Sequence, residues 1–364
     1  MNRIVLLNPG PVNVTPTVRD SLLRGDMCHR EPEIAELIQN IRKKLVRVFG
    51  IEDRYKTALI TGSGTAALEM AVSSCLSEGR TVCVIQNGVY GERIGAMSKA
   101  YGHPVHALTS GWGVPPDLAE LEATLMGHPE IEVVAMVHHE TTTGLMNPLN
   151  EVAALCRKHG KKLLVDAISS LAGEPFDFAA TQAAIVVGTA NKCIQGFPGV
   201  SFVLVHNNEW ERLENVPARS VYFDLFKNLS AQEKGETLFT PAIQVHYAFD
   251  QALDELMQET VEGRIRRYGE AAQRLRRGFA EMGLALLLDE ALLSNSLTAL
   301  KLPEGMTYGP LHDHLRQNGF VIYAGQGGLS KSIFRIANMG DIRREEFDRL
   351  LEVLKETVLS AGRA

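Results

Sequence analysis

The chain reads as an α/β protein: a mostly parallel open sheet between helices, followed by a smaller α+β unit. Three observations predict this. Short apolar runs alternate with helical stretches from about residue 57 to 205, the pattern of βαβ crossovers. Chemistry-bearing residues recur just after those runs, at the edge where parallel sheets take ligands. Beyond about residue 206 the alternation stops, and short strands and helices follow.

Taken in order, the chain opens with a short apolar strand and the stiff, donor-poor turn Asn8-Pro9-Gly10-Pro11. Residues 17–50 are mostly helical. Ile34, Leu37, Ile38, Ile41, Leu45 and Phe49 recur at spacings of three and four, and Gly50 stands at a C-cap. The polar link Cys28-His29-Arg30-Glu31-Pro32 breaks the pattern before them. A strand over about 57–61 then meets Gly62-Ser63-Gly64-Thr65 and an alanine-rich helix over about 66–76. Strand, glycine loop and helix aim free N–H groups at an anion. With neither a P-loop lysine nor a full GxGxxG, the loop suits one compact phosphate rather than a nucleotide.

A strand over about 81–86 delivers Tyr90 between Gly88 and Gly91. A strand over about 132–138 ends in His138-His139-Glu140-Thr141-Thr142-Thr143-Gly144. HExxH would need His at position 143, which is Thr143, so no zinc signature is present and no metal is expected. A helix over about 150–159 leads to the buried-type strand Lys162–Asp166, which ends on a carboxylate that needs a cation or a donor. The run Ala184–Val187 enters Gly188-Thr189-Ala190-Asn191-Lys192-Cys193-Ile194-Gln195-Gly196-Phe197-Pro198-Gly199, and a strand over about 201–205 follows.

Residues 207–240 read as mixed and loop-rich. Helices are expected over about 243–256 and 261–282. The second carries Arg264, Arg267, Arg274 and Arg277 as a solvated basic face. Strands near 296–301, 320–323 and 332–337 and helices near 309–318 and 342–358 complete the second unit. Its last strand places Arg335 among apolar neighbours, where an anion is needed to pair it.

Composition narrows the function. Of 364 residues, 45% are hydrophobic and the formal net charge is −6, which argues against nucleic acid as the main partner. No apolar run is long enough for a transmembrane helix, and the N-terminal apolar stretch is too short for a signal peptide. Five cysteines without a CxxC pair fit free thiols in a reducing cytoplasm.

A lysine and an aspartate at neighbouring strand ends, a phosphate-sized anion loop and an aromatic residue are what pyridoxal 5′-phosphate needs. The lysine forms the Schiff base, the aspartate pairs with the ring nitrogen, the helix N-terminus takes the phosphate, and the aromatic covers the ring. The stretches Asn8–Pro11, Gly62–Gly64, Asn87–Gly91, His139–Gly144, Val165–Ala167, Ala190–Gly196 and Phe334–Ile336 resemble class V, fold-type I, pyridoxal-phosphate aminotransferases over nearly the whole chain. The Asn-Lys-Cys-Ile-Gln-Gly run is most similar to the members acting on 2-aminoethylphosphonate and pyruvate.

That resemblance implies an aspartate-aminotransferase-like fold. Residues 15–257 would form a large cofactor domain with a seven-stranded-type sheet, and 1–14 with 258–364 a small α+β domain. It implies that Lys192 anchors the cofactor and shuttles the proton, and that Asp166 holds the ring nitrogen. Tyr90 would stack on the ring and Thr141 reach its hydroxyl. Ser63, Gly64, Thr65 and Asn191 would hold the phosphate. Thr240 would reach the phosphate of a neighbouring subunit, making the protein a homodimer with shared sites. Arg335 would grip the substrate anion beside Gly10, with Arg30 at the entrance; Arg219 and Lys227 stay unassigned. The reaction implied is transamination from 2-aminoethylphosphonate to pyruvate. The alternative is another class V transaminase, such as one using alanine or serine with glyoxylate. A desulfurase is disfavoured because no cysteine follows Cys193.

Overall fold

The computed structural model describes residues 3–361. Met1, Asn2 and residues 362–364, the outer ends of the expected small unit, lie outside the described residues.

Fourteen strands in four sheets are found among the described residues. They are β1 (Val5–Leu6), β2 (Tyr55–Gly62), β3 (Thr81–Gln86), β4 (Val105–Thr109), β5 (Ile131–Val137), β6 (His139–Glu140), β7 (Leu145–Met146), β8 (Lys162–Asp166), β9 (Ile185–Thr189), β10 (Gly199–His206), β11 (Leu297–Lys301), β12 (Phe320–Val321), β13 (Tyr323–Ala324) and β14 (Ile333–Ala337). The central sheet has seven strands in the order β2-β10-β9-β8-β5-β3-β4. Its β4-β3-β5-β8-β9 run is parallel, and β10 is antiparallel to both β2 and β9.

Alternate residues of these strands enter separate cores. Cys83, Ile85, Val134, Met136, Leu163, Val165 and Val186 face one. Val82, Val84, Val133, Ala135, Val137, Leu164, Ile185 and Val187 face the other. Helices cover both faces, so the strands read as unbroken apolar runs. On one face lie Pro32–Val48, Leu149–Lys158 and Ile243–Glu259; on the other lie Gly64–Ser74, Val89–Ala100 and Leu225–Glu233. A third core gathers Val5, Leu7, Leu275, Phe279, Leu311, Phe320, Phe334 and Leu350. β1 pairs in parallel with β12, which ties the start of the chain to its C-terminal part.

Four expectations change. The helix after the glycine loop begins at Gly64, two residues earlier than the composition suggested. β4 was not foreseen: Val105-His106-Ala107-Leu108-Thr109 is an edge strand in which only Leu108 is buried. Residues 207–240 hold the helices Trp210–Glu214 and Leu225–Glu233. The expected strand over 320–323 is two strands in different sheets, β12 on β1 and β13 on β14. No helix among the described residues is long and apolar enough to cross a membrane.

Candidate active site

From β3 the chain goes to one side for β4 and returns on the other for β5. The sheet therefore has a switch point between β3 and β5, where a crevice opens at the strand ends. A cleft of about 680 Å³ lies at this edge. The strand ends bring to it Ser63, Gly64 and Thr65 after β2, Tyr90 after β3, His139 after β5, Asp166 at the end of β8, and Asn191 and Lys192 after β9; Leu68, Val137 and Ile168 wall it.

The β2 turn leaves the helix Gly64–Ser74 uncapped. Ser63 is its N-cap residue but makes no side-chain cap bond. Ala66 N–H closes on the Ser63 carbonyl at 2.8 Å. The amides of Gly64 and Thr65 have no preceding turn to bond to, and the helix dipole adds positive charge there. Gly64 packs tightly there, since a Cβ would stand 2.9 Å from Ile168 Cδ1 and push that side chain aside. Arg93 lines the same end of the cleft, donates to Thr65 Oγ1 at 3.4 Å and stacks over the Tyr90 ring at 4.7 Å.

Tyr90 is aimed by Glu140. This fully buried carboxylate accepts the N–H groups of Tyr90 at 3.1 Å and Gly91 at 3.2 Å. It also accepts Thr142 N–H at 3.0 Å and the Thr142 hydroxyl at 2.6 Å. A carboxylate on the first amides of the helix Val89–Ala100 is a favourable cap. Burial nonetheless pushes its pKa up, against those four bonds. Gly88 leaves room for it, because a Cβ there would fall 2.3 Å from Glu140 Cδ.

Asp166 is 3% exposed. Its carboxylate's only hydrogen bond among the described residues comes from Ile168 N–H, at 3.0 Å, and no cation pairs with it. Burial drives its pKa up to about 7, with Glu140 adding to the rise and Ile168, Lys192 and Arg93 opposing it. The cation or donor that the sequence asks for is thus met by one backbone N–H and by no salt bridge among the described residues. Lys192 donates to the Pro9 carbonyl. Burial lowers its pKa to about 8; Arg335 and Arg93 push the same way, while Cys193 and Asp166 resist. A neutral amine is therefore accessible near physiological pH. Gly10 lies against it: a Cβ would stand 2.8 Å from Lys192 Nζ, and φ there is +100°.

Arg335 is 2% exposed in the middle of β14. Its Nε and Nη2 donate to the Ala324 carbonyl at 3.0 and 2.8 Å. Nη1 donates to the Thr141 carbonyl at 2.8 Å and to Gln326 Oε1 at 3.3 Å. No carboxylate pairs with it among the described residues. Thr141 is buried next to it but does not line the cleft with Lys192.

Other expected residues stand apart. Thr240 is exposed and lines a separate depression with Tyr222 and Phe239. Arg30 is exposed in a groove with Gly235, Glu236 and Thr237. Arg219 donates to the Pro217 carbonyl at 3.1 Å, and Lys227 pairs with Asp224 at 3.0 Å; neither lines the cleft. Two titratable cleft residues were missed by sequence reasoning, beside the hydroxyls of Ser169 and Thr189. Arg93 follows Tyr90 by one helical turn, a spacing that could have pointed to it. His139 donates from Nδ1 to the Ser169 carbonyl at 3.2 Å, and its buried Nε2 has no partner. Burial lowers its pKa to about 4, so it is neutral; only its place after a strand hinted at the site.

The family model Aminotransferase class-V matches residues 20–343. The chain is 36% identical over 363 residues to a 2-aminoethylphosphonate–pyruvate transaminase of Vibrio cholerae, covering 98% of each. It is 38% identical over 362 residues to one of Bacillus cytotoxicus, again covering 98% of each. Among solved structures, an alanine–glyoxylate aminotransferase of Nostoc sp. superposes with a TM-score of 0.92 at 27% identity, covering 99% of this chain and 96% of that one. A pyridoxamine–pyruvate aminotransferase of Mesorhizobium loti superposes with the same score and identity, covering 100% of this chain and 94% of that one. With a strand-end lysine and an unpaired aspartate sharing one cleft, and with these likenesses along its whole length, the chain belongs to the class V aminotransferase family.

Proposed function

We propose that the protein moves the amino group of 2-aminoethylphosphonate to pyruvate, giving phosphonoacetaldehyde and L-alanine, with pyridoxal 5′-phosphate as resident cofactor. The observation that carries the reading is that Lys192 and Asp166 meet in one cleft, the first with its pKa lowered to about 8 and the second without a cation. The cofactor fits this set, because its protonated ring nitrogen is the cation that buried Asp166 lacks. Bound there, it supplies an electron sink that makes a proton on the nitrogen-bearing carbon of an amine removable.

The chain's own groups do the rest. Lys192 Nζ anchors the cofactor and, when free and neutral, takes the proton from that carbon and returns it. Asp166 keeps the ring nitrogen protonated. Ser63, Gly64, Thr65 and Asn191 hold the phosphate, with Arg93 adding a cation. Tyr90, fixed by Glu140, covers the ring; Thr141, which does not line the cleft, keeps its carbonyl on Arg335 instead. Arg335 serves both halves of the reaction, since its planar fork suits a phosphonate as well as the carboxylate of pyruvate. Arg335→Ala should therefore raise KM for both substrates, each on the order of a hundredfold, in steady-state assays. Gly10→Ala should slow covalent capture of pyridoxal phosphate by Lys192, because the added methyl occupies the space of the amine; stopped-flow absorbance reads this rate.

The working unit is a cytoplasmic homodimer in this reading. The free thiols fit a reducing compartment. Thr240, exposed and away from its own chain's cleft, would reach the phosphate site of a second copy, with Arg30 at that entrance. The exposed Leu23, Val221 and Leu238 give the second copy apolar surface to cover. Residues 15–257 form the large domain, and 1–14 with 258–364 the small one; the pairing of β1 with β12 supports that division. The test is a donor profile. 2-Aminoethylphosphonate with pyruvate should be turned over far faster than alanine or serine with glyoxylate. The reverse order would assign the site to the other transaminases of the family.

A further inference from the structure

The turn that carries Lys192 does not support itself. Gln195 sits at φ +67°, a left-handed conformation that is costly for a residue with a side chain. Within the turn, Gln195 N–H reaches the Lys192 carbonyl at 2.9 Å and Gly196 N–H the Ala190 carbonyl at 2.8 Å. Further support comes from the helix Val261–Glu281. Its Arg264, expected on a solvated face, is 2% exposed, because its charge is met by Glu259 and by the turn itself. Nε and Nη2 each approach Glu259 Oε2 at 2.8 Å, and Nη1 donates to the carbonyls of Cys193 at 2.8 Å and Ile194 at 3.1 Å.

One helical turn on, the fully buried Tyr268 makes the link that reaches furthest. Its hydroxyl oxygen accepts from Gln195 Nε2 at 2.7 Å and from Gly340 N–H at 3.0 Å. Gly340 lies just past β14, the strand of Arg335. That segment has no slack. Asn338 Nδ2 donates to the Tyr268 carbonyl at 3.0 Å, and Arg267 Nη1 to the Gly340 carbonyl at 3.1 Å. Gly340 bridges to Asn13, and its φ of +106° would strain any other residue. Ala337 N–H reaches the Leu7 carbonyl at 2.7 Å, close to the Pro9 carbonyl that receives Lys192. A single phenolic oxygen therefore joins the turn of Lys192 to the end of the strand of Arg335.

We infer that Tyr268 is a positioning residue that sets the span between Lys192 and Arg335, and through it the chain length of the amino donor. The inference rests on the function proposed above. Its geometric basis is that the proton is moved at Lys192 while the donor's anion is held at Arg335, so the distance between them must match the carbons between amine and phosphonate. Misplacement by about an ångström is enough to cost up to a hundredfold in rate.

The test uses the cofactor-loaded enzyme with Tyr268→Phe and Gln195→Met, which break the link from either end. Both are assayed with pyruvate and either 2-aminoethylphosphonate or 3-aminopropylphosphonate. Tyr268→Phe should lower kcat/KM about tenfold for the shorter donor and leave the longer one unchanged or faster. The absorbance of lysine-bound cofactor should persist. Gln195→Met should narrow the same selectivity ratio, and the double variant should add little, as expected for groups sharing one bond. An unmoved ratio in both variants, or an equal fall for both donors, would overturn the inference. Should Tyr268→Phe fail to fold, Gln195→Met decides by the same ratio. Wild-type inactivity towards both donors would instead overturn the functional reading beneath it.

Discussion

Lys192→Ala should lose turnover by about 10⁴-fold or more, because one side chain serves both as anchor and as proton carrier. The loss should appear in kcat, and borohydride reduction should no longer link pyridoxal phosphate to the protein. The cleft offers no obvious substitute. The buried His139 is neutral, with a pKa near 4. The fold should survive, since the turn is held by Arg264 and Tyr268 through the carbonyls of Cys193 and Ile194 and the side chain of Gln195, not through the lysine side chain. A variant that kept wild-type kcat would remove Lys192 from the chemistry.

Asp166→Asn should cost about 10²–10³-fold in kcat, because a neutral amide cannot keep the ring nitrogen protonated. The same change should stabilise the cofactor-free protein, with a definite pH dependence. The folded pKa of Asp166 is about 7 against an ordinary 3.8, so burial penalises its charged form. Above pH 7 the carboxylate is charged in both folded and unfolded states, and the folded state carries the whole penalty. Below about pH 4 it is neutral in both, and the penalty vanishes. Thermal melts of cofactor-free protein should therefore show Asp166→Asn melting above wild type at pH 8, with the gap closing towards pH 4. Adding pyridoxal phosphate should raise the wild-type Tm more than that of the variant.

Much of this was legible because strand ends put chemistry on one edge. The buried runs around Val82–Ile85, Val133–Val137 and Leu163–Val165 are apolar on both faces, so each announces a covered parallel strand. Ser63, Tyr90, Asp166 and Lys192 follow such runs and meet in one cleft. Elements without that signature were harder to see. β4 sits at the sheet edge, alternates weakly and carries His106, so it does not read as a strand. Arg93 lies within a helix, where its register towards the cleft depends on where the helix begins, and Glu140 on the Tyr90 and Gly91 amides sets that start. Arg264 looked like one of several surface arginines. Its burial comes from Glu259 and from carbonyls some seventy residues away in sequence, contacts that no local window contains.

The central claim is that one cleft runs both halves of a transamination through Lys192, and a single-turnover measurement tests it most directly. Enzyme loaded with pyridoxal phosphate is mixed with excess 2-aminoethylphosphonate and no acceptor, while absorbance and phosphorus NMR are followed. The account predicts one equivalent of phosphonoacetaldehyde per site, loss of the lysine-bound cofactor absorbance, and then a halt. Pyruvate added next should restore the absorbance and release one equivalent of alanine. Continued aldehyde formation without pyruvate, or no change on adding the aminophosphonate, would contradict it.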